Sequence, residues 1–163
     1  MKKIWMIAFA ALAFYACSSN SASSDQEEHF EADGWNLYWP DWTLAYSVFQ
    51  GKIDSTLETM SVNANCLSEH INIKFLDENK EQISGPTDEE HSLGWVVADT
   101  SILDIEWEGG WGFHLHGLQE GETTLQLQVK HHDHADVKTP EIKIIVDKKL
   151  AAEDCPFQED EEE

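Results

Sequence analysis

Five of the chain's eight histidines lie between His114 and His134. They form two groups, His114-x-His116 and His131-His132-x-His134. Neutral imidazole nitrogen is a ligand for Zn²⁺, Cu²⁺ and Ni²⁺, and a site with several histidines and few thiols suits all three. On a β-strand, residues i and i+2 point the same way with Cα atoms about 6.6 Å apart, so each His-x-His pair projects from one face. His70 has the same polar parity in "HINIKF" and adds a sixth candidate. The expected ligands are therefore His70, His114, His116, His131, His132 and His134, and the expected cofactor is a divalent Zn, Cu or Ni ion.

Whether these form one site depends on register. A hairpin around Glu120–Gly121 sets His114 and His116 opposite residues 125–128, leaving His132 and His134 past the end of the first strand. A single site then needs a bend after Val129 or a contribution from His70. In the other arrangement each pair serves separately, completed by Asp133, Asp136 or His70. Catalysis is not expected. The chain has no HExxH, neither Ser68–His70 nor His91–Ser92 carries a nucleophile signature, and the carboxylates are too numerous for any pair to stand out.

The positioning elements read as strands, because apolar residues recur with period two. Ile71, Ile73 and Phe75 share one face of "HINIKF". Trp111, Phe113 and Leu115 oppose His114 and His116. Leu125, Leu127 and Val129 alternate with Gln126, Gln128 and Lys130, and Ile142, Ile144 and Val146 form a last inward row. Further strands are expected at Leu44–Phe49, Leu57–Val62, Leu93–Ala98 and Leu103–Trp107. Turn-forming stretches such as "DENKE", "SGPTDEE" and "QEGE" separate them. Seven or eight short strands at this spacing predict an all-β single-domain sandwich. "VVADTSILDIEWEGGWGFHLHGLQEGETTLQLQV" resembles the second half of bacterial Ig-like domains, which implies an Ig-like sandwich over residues 34–150. That resemblance asks for no histidine at the candidate positions and transfers no site.

The ends of the chain bear on its location. Lys2 and Lys3 precede the apolar run "IWMIAFAALAFYA", too short for a membrane-spanning helix, and a small residue stands before Cys17. This resembles the lipobox of bacterial lipoproteins. It implies a signal peptide over residues 1–16, a lipidated Cys17 as membrane anchor, and a place in the bacterial cell envelope, at the outer membrane or cell surface rather than the inner membrane. Residues 17–33 are polar and Ser-rich and read as a flexible tether; residues 151–163 read as an acidic tail. In an exported chain the remaining cysteines, Cys66 and Cys155, are expected to pair as a disulfide rather than act as thiol ligands.

Formal net charge is −22, with 32 acidic residues against ten basic ones. All ten are lysines. Nucleic acid is excluded as a partner, since phosphate binding needs a basic face. A metal ion remains suitable. The other reading is an adhesion or assembly module that docks an envelope protein. The stretch "WNLYWPDW" has two readings: Trp35, Leu37 and Trp39 alternate into the core, or the rings form a platform for a glycan.

Overall fold

The alternating segments do form strands, stacked as two sheets around one core. The computed structural model describes residues 29–155 other than Ser55 and Leu57, together with Phe157. The leader, Cys17, the first part of the expected tether and most of the acidic tail lie outside the described residues. Twelve strands occur among those described: β1 (Gly34–Tyr38), β2 (Leu44–Phe49), β3 (Lys52–Ile53), β4 (Thr59–Asn63), β5 (Ile71–Leu76), β6 (Gln82–Ile83), β7 (His91–Val97), β8 (Leu103–Glu106), β9 (Gly112–Gly117), β10 (Gly121–His131), β11 (His134–Lys138) and β12 (Ile142–Asp147). Two of those beyond eight are β3 and β6, of two residues each and too short to show alternation.

One sheet runs β3-β2-β1-β5-β9-β8, with β6 also on β5; the other runs β11-β10-β12-β4, with β7 also on β10. Pairing is antiparallel except between β12 and β4. Trp35, Leu37, Tyr46, Ile71, Phe75, Phe113 and Leu115 face inward from the first sheet. Leu125, Leu127, Val129, Ile142 and Ile144 meet them from the second. Burial pushes the Tyr46 phenol up to about 12. Removing this much apolar surface from water is the main favourable term in folding.

The expected hairpin around Glu120–Gly121 is not there. β9 pairs with β8 and β5, whereas β10 pairs with β7, β11 and β12, so the link after Gly117 crosses from one sheet to the other. The reason lies in the shared inward parity: Leu115 and Leu125 reach the same core from opposite layers. Gly117 marks the crossing, since a Cβ there would sit 2.3 Å from the Asn63 carbonyl oxygen at the end of β4.

The chain ends are more attached than their composition implies. Phe30, within the segment read as tether, packs edge-to-face on Phe75, with ring centroids 4.9 Å apart. Cys66 and Cys155 are bonded, with Cα atoms 5.5 Å apart across a sequence separation of 89. The bond carries a short 3₁₀ turn, Ala152–Asp154, and sets Phe157 beside Leu67. In the aromatic stretch Trp35 is buried and Trp39 packs against the core, while Trp42 is exposed. Tyr38 is tilted 56° from Trp42, so these two rings form no flat platform.

Candidate metal centre

The second histidine group is organised by three adjacent strands. His131 pairs directly with His91 across β7 and with His134 across β11, which sets three histidines in one cross-strand row. His131 continues the inward parity of Leu125, Leu127 and Val129, so its side chain is buried. The β10–β11 pairing shifts register between Val129 and Lys130, while β10 stays in regular register with β7 through His131, so no bend after Val129 brings this group to His114 and His116. His132 and Asp133 are the two turn residues of the β10–β11 hairpin, and His132 is exposed with φ 51°. Asp136, two residues past His134, returns to the same face.

Around Asp136 the row becomes a cluster. The Asp136 side chain has no exposed surface. Its Oδ1 lies 2.9 Å from His29 Nδ1 and 3.3 Å from His134 Nε2, and its Oδ2 lies 3.4 Å from His91 Nε2. The Phe30 backbone N–H donates to Oδ2 at 2.9 Å. His134 Nε2 is 3.4 Å from His29 Nδ1. Burial opposes ionisation of Asp136, but the Phe30 N–H and His29 outweigh it and hold the carboxyl below its usual range.

His29, His131, His134 and Asp136 each offer one ligand atom, all within 4.8 Å of one another. Around a tetrahedral ion with bonds of about 2.0–2.1 Å, ligand atoms stand about 3.3 Å apart, so this group can hold a metal ion. His131 Nδ1 and His91 Nε2 are buried without a hydrogen-bond partner. Unsatisfied buried polar atoms are rare and ask for an explanation, and for the His131 nitrogen a metal supplies one. The His91 tautomer is set by its other nitrogen, which donates to Asp88 Oδ1 at 2.7 Å and leaves Nε2 a lone pair. A second combination, Glu90, His131 and His132, shares His131.

The first histidine group lies in the other sheet. Ile71 pairs with Phe113, so antiparallel register brings His70 to His114, with ring centroids 5.1 Å apart. Glu108, in the turn after β8, places Oε2 3.6 Å from His114 Nε2 and 3.8 Å from His70 Nδ1. His114 is on the non-core face, as expected, yet it is buried, because Phe157 stacks over its ring at 5.0 Å. Its Nδ1 donates to the Ser68 carbonyl oxygen at 2.8 Å. His116 pairs with Asp104 instead and enters no three-residue group among the described residues.

The six expected histidines are thus divided: His131 and His134 belong to one cluster, His70 and His114 to another. His132 sits in a turn beside the first cluster, and His116 stands apart. Three contributors were missed. His29 lies in a segment read as tether, and Glu108 is one of many exposed carboxylates. His91 was legible, since it lies two residues before the inward Leu93 at the start of β7. Comparison with protein-family models and with curated proteins finds no match for this chain.

Proposed function

We propose that this protein captures a divalent transition metal, Zn²⁺, Cu²⁺ or Ni²⁺, at His29, His131, His134 and Asp136. The observation that carries this reading is a fully covered carboxylate faced by imidazoles from separate chain segments, beside a buried His131 nitrogen with no partner. Three nitrogens and one oxygen fill a tetrahedral shell, which favours holding an ion over activating water on it. The role is therefore capture, buffering or delivery, not catalysis. A charge of −22 draws cations toward the surface. The lipobox-like leader extends the proposal to a Cys17-anchored protein of the cell envelope, where such a domain meets ions entering from outside.

Calorimetric titration of residues 17–163, with Cys17→Ser, tests this at pH about 7.5. The expected result is a dissociation constant below about 10 μM for at least one of the three ions. The His131→Ala/His134→Ala double variant loses one equivalent of that binding. No binding at that level, or binding indifferent to both substitutions, would overturn the reading.

A further inference from the structure

We propose a second metal centre at His70, His114 and Glu108, built with one coordination position left open. It lies in the other sheet and does not depend on the first site. The three side chains bring one ligand atom each within 4.8 Å of one another. The Glu108 contacts, 3.6 Å to His114 and 3.8 Å to His70, are too long for hydrogen bonds. They are close to the separation of donors that share an ion, about 3.3 Å.

Three further features show a seat made for these rings. The Ser68 carbonyl can only accept, so the proton of neutral His114 is on Nδ1 and the lone pair is on Nε2, the atom nearest Glu108. Phe157 covers the His114 ring and fixes its plane. Against the His70 ring the backbone carries Gly112, where a Cβ would collide with His70 Nε2. A larger residue there would force the imidazole to shift.

Two nitrogens and one carboxylate oxygen suit Zn²⁺, Cu²⁺ or Ni²⁺ and leave a tetrahedral shell one donor short. Glu108 is 55 % exposed and His70 34 %, so the missing donor must come from the solvent side. The ligand class is a small exogenous donor: water, an imidazole, or the carboxylate or thiolate of another molecule. The two centres then differ in kind, one closed by four protein donors and one able to pass its ion to an incoming ligand.

Cobalt(II) is the probe, because its visible absorption reports coordination. In the Cys17→Ser chain of residues 17–163, native mass spectrometry should count two Co²⁺ per chain. The His131→Ala/His134→Ala variant should retain one, and adding free imidazole should shift its visible bands. Substituting the solvent-exposed pair, His70→Ala/Glu108→Ala, should remove that ion while leaving the first site filled; circular dichroism verifies that the sheet is intact. If the His131/His134 variant binds no cobalt, the second centre is refuted and the first stands. If only the ion lost with His70 and Glu108 is found, the first site fails and the second stands. Bands that do not move with imidazole overturn the open position.

Discussion

At the residue scale, Asp136 decides what the first cluster can do. It is a carboxylate without exposed surface, held ionised by the Phe30 N–H and His29 and flanked by His91 and His134, so it presents a covered negative charge to a cation. Asp136→Asn keeps an oxygen to accept the Phe30 N–H but removes the charge. Its expected effect is a loss of metal affinity of more than about tenfold, since even outer-sphere partners contribute 10- to 100-fold. Calorimetric titration of the variant measures it; a change below about threefold would show that Asp136 does not ligate. His91 contributes through orientation, its Nδ1 held by Asp88 and its ring stacked on His131 at 4.4 Å.

At the element scale, the hairpin β10–β11 brings His131 and His134 face to face, and its turn carries His132 in the left-handed region. An L-residue is strained there by roughly 1–2 kcal/mol, whereas glycine is not. His132→Gly should therefore raise the free energy of unfolding by up to about 1 kcal/mol, read from urea melts, after glycine's own entropy is counted. Metal affinity should stay unchanged. A large fall would instead assign the ion to Glu90, His131 and His132. Part of this element is legible in the sequence: the alternation of Leu125, Leu127 and Val129 marks the strand. What was hidden is which strands pair. Alternation gives the face of each residue but not its neighbour, so it does not separate a β9–β10 hairpin from the observed crossing, in which Leu115 and Leu125 fill one core from two layers. For the same reason His70 could be placed on a face but not beside His114, and no local pattern tied His29 to Asp136 across 107 residues.

At the scale of the whole molecule, acid should weaken the fold in two stages. Burial and the nearby His114 hold His70 below 6.5, against the pull of Glu108. The unfolded chain then takes up the proton first, so His70's share of stability is complete above 6.5 and declines as pH falls below it. Asp41, Asp54, Asp88 and Asp99 are held below 3.8 by hydrogen bonds from Thr43, Thr56, His91 and Ser101. Their share is present above 3.8 and disappears as pH falls through the lower folded values. The melting temperature of metal-free protein should drop as pH falls below about 6.5 and again as it falls below about 4. His70→Gln should abolish only the first drop. The Cys66–Cys155 bond closes a loop of 89 residues, and its double substitution by alanine should lower unfolding free energy by about 4 kcal/mol in urea melts.

The position of His29 also gives the site a mechanical meaning. A pull on the chain ahead of residue 29 reaches His29 and Phe30 before it reaches the hydrogen bonds of β1. With an ion in place, that load passes sideways into β11 and β10 through coordination bonds instead of peeling β1 from its sheet. The ion would then be a shackle, and its release would let the first strand feel the strain.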